Sequence, residues 1–208
     1  MIQLRDAGKS ELPSLGELCL RSKAVWGYDD AFMTACRTEL TLRPDELQST
    51  YLQVAVRNST VVGLAQVKVT DTDADLLKLF VEPARLKSGV GRLLFEWATA
   101  RARGLGAVRM TIEADPGAAP FYERMGARHA GFAPSQSIPG RMLPCMQMDL
   151  GKKPGLPRER FSASNLVRRI GDGSTEPYLL SPLAAVAVAV CSRDQIDLAG
   201  FSICQGPT

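Results

Sequence analysis

The sequence predicts an α/β (α+β) domain with a mixed, mostly antiparallel central sheet and helices on both of its faces. Three observations carry this. Alternating apolar runs pair as neighbours near both ends of residues 1–150. A single strand–helix–strand crossover, which only a parallel pair needs, spans Leu76 to Ile112. The segments between carry helical periodicity, so the order reads β-α-α-β-β-β-α-β-α-β-β.

Ile2-Gln3-Leu4-Arg5 alternates as a short strand does. A helix starts at Ser10-Glu11, places Leu12, Leu15, Leu18 and Cys19 at core spacing and runs to about Ser22. A less regular helical segment covers Trp26 to Leu40 until Arg43-Pro44-Asp45 breaks it. Tyr51–Arg57 and Val61–Val69 form a hairpin joined by Asn58-Ser59-Thr60. After the turn at Asp71-Thr72-Asp73, Leu76–Val81 is the fourth strand. The next helix places Val90, Leu93, Leu94, Trp97 and Ala98 on one face and ends at Arg103-Gly104, with the glycine in the C′ position. Val108–Ile112 is the fifth strand, Asp115-Pro116 caps a short helix from Gly117 to Met125, and Arg128–Phe132 with Met142–Leu150 close the sheet. The expected domain is therefore 1–150. From Gly151-Lys152-Lys153-Pro154-Gly155 onward the composition is that of a linker and then a weakly ordered tail, in which Leu183–Val190 has the makings of one strand or helix.

The most informative stretch is Val81 to Leu94, where a strand passes through a proline-broken loop into Gly89-Val90-Gly91 and directly into a helix. A glycine turn at a helix start gathers free backbone N–H groups at the positive end of the helix dipole, an arrangement that binds phosphate. A dinucleotide turn would require a third glycine where Leu94 stands, and a nucleoside-triphosphate loop would continue Gly-Lys-Ser/Thr, whereas Gly91 is followed by Arg92-Leu93.

Composition narrows the field further. Apolar residues at 45% and charged residues at 23% suit a globular protein, and a net charge of +3 without a basic run gives no nucleic-acid footprint. The first residues hold no signal-peptide core, and the longest apolar run, Leu183–Cys191, is about half a membrane span, so a cytoplasmic protein without membrane partners is expected. The five cysteines contain no Cys-x-x-Cys pair and there is one histidine, which argues for buried thiols in a reducing compartment and against a metal site.

Two blocks together resemble the GNAT superfamily of acyl-CoA-dependent N-acyltransferases over about residues 1–150. The family's Arg/Gln-x-x-Gly-x-Gly/Ala loop is matched by Leu86-Lys87-Ser88-Gly89-Val90-Gly91, with Leu86 in place of Arg or Gln. The family's Asn-x-x-Ala-x-x-Phe-Tyr-x-x-x-Gly-Phe is matched by Asp115 to Ala127, with Asp115 for Asn and Ala127 for Phe. The resemblance implies a splayed parallel strand pair and acetyl-CoA as co-substrate, without a metal. Lys87, Ser88, Gly89, Val90, Gly91 and Arg92 would hold the pyrophosphate, and the backbone of Phe80 and Val81 would hold the pantetheine arm. Asp115, Ala118, Phe121 and Tyr122 would complete the cofactor side.

By the same resemblance Tyr122 would donate the proton to the departing thiolate, and a phenol near pKa 10 suits that task. Glu82, at the end of the fourth strand, is the general-base candidate, with Glu113 and a water chain as alternatives. The aromatic–acidic group Trp26, Tyr28, Asp29 and Asp30 would receive the amine by cation–π and charge pairing. The expected activity is acetyl transfer to a small-molecule amine by a monomer or homodimer. The alternatives are acetylation of a protein amine, or a non-catalytic acyl-CoA sensor.

Overall fold

The computed structural model describes residues 1–151; the expected linker and tail, including Leu183–Val190, lie outside the described residues. In chain order the elements are β1 (Gln3–Asp6), α1 (Leu12–Ala24), α2 (Asp30–Leu40), β2 (Thr50–Arg57), β3 (Thr60–Thr70) and β4 (Asp73–Val81). They continue with α3 (Val90–Gly104), β5 (Arg109–Glu113), α4 (Ala119–Arg124), β6 (Arg128–Pro134) and β7 (Met142–Asp149). The seven strands form one sheet in the order β1-β2-β3-β4-β5-β7-β6, antiparallel throughout except for β4 and β5.

The parallel pair is short, and that shortness creates the site. β4 and β5 are joined only over Asp73–Asp75 and Arg109–Thr111, after which the strands separate. At the point of separation the β3–β4 register slips: Val67 lies opposite Leu76 while Gln66 lies opposite Lys78, so Leu77 is an extra, exposed residue. Such a bulge bends its strand and sharpens the local twist, which turns the second half of β4 away from β5. The result is a mixed sheet with a V-shaped opening between its central strands.

Each face of the sheet has its own core. On one face Phe95, Ala98 and Ala102 of α3 pack with Met110 and Ile112 of β5, Tyr122 of α4 and Met146 of β7. On the other, Leu12, Leu15, Leu18 and Cys19 of α1 and Cys36 and Leu40 of α2 pack on Leu52, Val54 and Leu64. Burial of Cys19 pushes its thiol up to about 12, so it behaves as a small apolar side chain.

Several boundaries differ from the sequence reading for local reasons. α2 begins at Asp30 and not near Trp26, because Gly27 takes a left-handed conformation (φ 76°) and Asp29 caps the helix by accepting from the Phe32 amide at 2.8 Å. α3 runs through Gly104, and the left-handed glycine that ends it is Gly106 (φ 99°). Its buried stripe is Val90, Leu94, Phe95, Ala98 and Ala102, with Leu93 and Trp97 only half-buried. α4 is shorter than expected, starting at Ala119. The β2–β3 turn uses Asn58 and Ser59, both at positive φ, as a two-residue hairpin of matching twist requires.

Candidate active site

The loop between β4 and α3 reaches the helix through two left-handed residues, Lys87 (φ 59°) and Gly89 (φ 87°). The Ser88 hydroxyl donates to the Arg85 carbonyl at 2.6 Å, which fixes the loop, and the first helical bond is Leu93 N–H to Gly89 O at 3.0 Å. Among the described residues the amides of Val90, Gly91 and Arg92 have no partner, so the turn presents a row of unpaired donors at a helix start. The Arg92 side chain is not part of that row, because it pairs with Glu96 one turn along the exposed face at 2.7 Å. Val90 is buried and anchors the helix end, while Lys87 is exposed.

Gly91 joins three parts of the site. A Cβ placed on it would lie 3.7 Å from the Phe121 ring and 3.7 Å from Val81 Cγ2, so the donor-rich turn, the end of β4 and α4 meet there. Behind Phe121, Tyr122 packs against Phe95 and is 6% exposed. Burial raises its phenol pKa well above the ordinary value, which keeps it protonated across the physiological range. Its hydroxyl has no hydrogen-bond partner among the described residues. It is not sealed either, since the one fully enclosed orphan polar atom among them is Gln66 Oε1.

The strand end departs from expectation. Glu82 N–H donates to Val62 O at 2.9 Å, and the alternation of an antiparallel ladder then turns the backbone of Phe80 toward β3. The backbone groups of β4 that face the opening are therefore those of Leu79 and Val81, and those of Phe80 face β3. The Phe80 side chain packs with the α1 core. The Val81 amide is engaged in a long bond, donating to the Ser22 hydroxyl at 3.4 Å.

Glu82 is held as an ion pair. Both of its carboxylate oxygens accept from Arg21, at 3.1 and 2.9 Å, so both are occupied by a guanidinium rather than turned to a substrate. Glu113, the alternative, ends β5 on the sheet face opposite the Ile112–Tyr122 core and is paired across the strands with Cys145. Desolvation, with Glu39 and Asp75 nearby, raises its carboxyl pKa. That shift moves it toward the working range of a general base.

Of the four residues expected to receive the amine, Trp26 and Tyr28 both reach the Asp115–Gly117 segment, while Asp29 and Asp30 do not join them. Trp26 lies over Gly117, where a Cβ would come within 2.4 Å of its ring. Asp29 is the α2 cap and Asp30 is exposed. Tyr28 turns inward, stacks on Phe32 at 3.9 Å and donates to Asp115 at 2.8 Å. Asp115 also accepts from Arg141 at 3.3 Å, has Lys23 at 3.9 Å and caps the Gly117 amide at 3.2 Å. Asp115 is therefore the hub of a network tying the α1–α2 connector and the β6–β7 loop to the start of α4. Ala118, which caps α4, donates to the Asp115 carbonyl at 2.8 Å. The sequence alone does not single out Lys23, two residues after Arg21, or Arg141, because no local pattern marks either.

A family model described as the acetyltransferase (GNAT) family matches residues 17–127. The chain belongs to the GNAT family of acetyltransferases. Among solved structures it resembles the PaiA N-acetyltransferase of Thermoplasma acidophilum in complex with coenzyme A, at 17% identity and a TM-score of 0.58, over 72% of this chain and 99% of that one. It also resembles the ribosomal-protein-S18-alanine N-acetyltransferase of Escherichia coli, at 18% identity and 0.55, over 73% and 95%. A third is an aminoglycoside 6′-N-acetyltransferase complexed with coenzyme A, at 18% identity and 0.55, over 74% and 99%. At these identities the likeness is one of fold. A comparison with curated sequences found no match. Among the described residues there is no cluster of metal-ligating side chains and no helix long and apolar enough to cross a membrane.

Proposed function

We propose that residues 1–150 form an N-acetyltransferase unit that moves the acetyl group of acetyl-CoA to the primary amine of a small molecule. The observation that carries this is the meeting at Gly91 of the unpaired α3 amides, the end of β4 and the Tyr122 helix. Pyrophosphate on the turn would lead the pantetheine arm along Leu79 and Val81 into the opening, where it would add to β4 as a short strand. The thioester carbonyl would then lie by the Val81 amide, which would exchange its long bond to Ser22 for one to the oxyanion as the amine attacks. Glu113 takes the proton that the amine nitrogen loses as the neutral amine attacks the carbonyl, directly or through water. Tyr122 returns a proton to the departing thiolate.

Two of the neighbours are described with coenzyme A bound, in agreement with this donor. The acceptors named for two neighbours, a ribosomal protein for one and an aminoglycoside for the other, do not choose this chain's acceptor. The experiment is a melting curve with and without coenzyme A, followed by thiol release from acetyl-CoA across a panel of amines. A shift in Tm that follows coenzyme A concentration, with amine-dependent release, is expected. A shift without release from any amine would favour a sensor, and no shift would remove the reading altogether.

A further inference from the structure

Lys78 is a buried lysine without a counter-ion. It is 9% exposed, and among the described residues no carboxylate lies within 4.0 Å and no hydrogen bond engages its ammonium. Its place in the sheet is well defined. Gln66 pairs with Lys78 and with Leu52, and Leu64 pairs with Phe80 and Val54, so these side chains share one face. Leu52, Val54, Leu64 and Phe80 belong to the core under α1, and the charge of Lys78 is felt by the Cys19 thiol of that helix.

On its other flank β4 has no neighbour, because pairing with β5 ends at Asp75. Lys78 thus stands on one bank of the opening. Glu113, two residues past the last paired position of β5, stands on the other bank and on the same sheet face. The ammonium is not among the sealed orphan atoms, so its stem is packed while its charge remains accessible. A cation whose stem is packed in the core and whose head reaches the opening is met there by water or by an anion in place of water. The Gln66 amide does not meet it, because its nitrogen is spent on Thr50 and Glu46 and its oxygen is unpartnered.

We propose that Lys78 binds a carboxylate on the acceptor, which makes the acceptor an amino carboxylate rather than a simple amine. Lys78 lies three residues before Val81, roughly 10 Å along the strand, and its stem spans part of that distance. An acceptor lying across the opening would put its amine between Glu113 and the thioester and its carboxylate against Lys78. The inference rests on the acetyltransferase reading for the position of the amine, while the cation site itself does not.

The test compares three matched pairs in thiol release: tyrosine with tyramine, lysine with cadaverine, and 4-aminobutyrate with butylamine. Melting of the coenzyme A-loaded protein with N-acetyltyrosine against N-acetyltyramine reads the carboxylate without turnover. Wild type should favour the carboxylate member by tenfold or more in kcat/KM, or be stabilised by N-acetyltyrosine alone. Lys78→Gln should lose that preference through KM with kcat retained, and Lys78→Arg should keep most of it. A wild type with no preference in either readout overturns the proposal. So does a Lys78→Gln protein that melts lower but keeps the preference, since Lys78 would then only brace the core. If coenzyme A gives no shift while N-acetyltyrosine still stabilises wild type and not Lys78→Gln, the acetyltransferase reading fails and the carboxylate site stands.

Discussion

The two sides of the β4–β5 opening are built from different materials. The α3 side is made of backbone: unpaired amides after a left-handed glycine, the free edge of β4, and a ring packed where Gly91 has no side chain. The α1–α2 side is made of side chains brought from distant segments, with Lys23, Tyr28, Asp115 and Arg141 in one network and Glu39, Lys78 and Glu113 beside it. Backbone donors persist whatever side chains the turn carries. Side chains can change one at a time without disturbing the fold, so the two sides differ in how readily they can vary.

Substitutions can break this contrast, beginning with the chemistry that both sides share. Tyr122→Phe should lower kcat by about a hundredfold or more while leaving the coenzyme A melting shift intact, since it removes a proton donor and little packing. Unchanged turnover would take the donor role from Tyr122.

Glu113→Gln should cost tens-fold near neutral pH, part of the loss being made up by water. Because the Glu113 pKa is raised, wild-type kcat/KM should fall with acid from a pH above the ordinary carboxylate range, as the base becomes protonated. A pH–rate profile of Glu113→Gln that kept this acid limb would exclude Glu113 as its source.

On the donor side alone, Gly89→Ala forces a side chain into φ 87°, a strain of about 1–2 kcal/mol. Coenzyme A affinity should drop about tenfold, with the preference among acceptors unaltered. A changed acceptor preference would show that the two sides are not separable.

The smallest effect lies away from the opening. Arg5 and the Gly8 amide hold the Glu11 carboxyl down to about 2. A depressed carboxyl stabilises the fold above its unfolded pKa, near 4.5, and that contribution fades as pH falls toward about 2. Glu11→Gln should flatten the acid limb of stability in that window, read from urea midpoints against pH, without touching turnover.

The Gly89-Val90-Gly91 turn was legible in the sequence because it is local: the glycines and the helix start are contiguous, and the unpaired amides stand where that pattern puts them. Strand pairing was legible for the same reason, since the hairpin and the crossover are set by periodicity and spacing. The acceptor half was not. Trp26, Tyr28, Asp29 and Asp30 are neighbours in the chain, yet Trp26 and Tyr28 turn to the Asp115–Gly117 segment while Asp29 is taken up by the α2 cap and Asp30 is exposed. Glu82 carries the right chemistry at a strand end, but only the tertiary structure shows Arg21 across from it.

By itself, the sequence determined the order of the elements, the phosphate-ready turn and the family, because these depend on local periodicity, on glycine and on the chain's own backbone. The tertiary structure decided where β4 leaves β5, which backbone groups of β4 remain free, and which charges stand unpaired beside the gap. A one-residue bulge at Leu77 and contacts between residues far apart in the chain fix all three, and no local pattern records them.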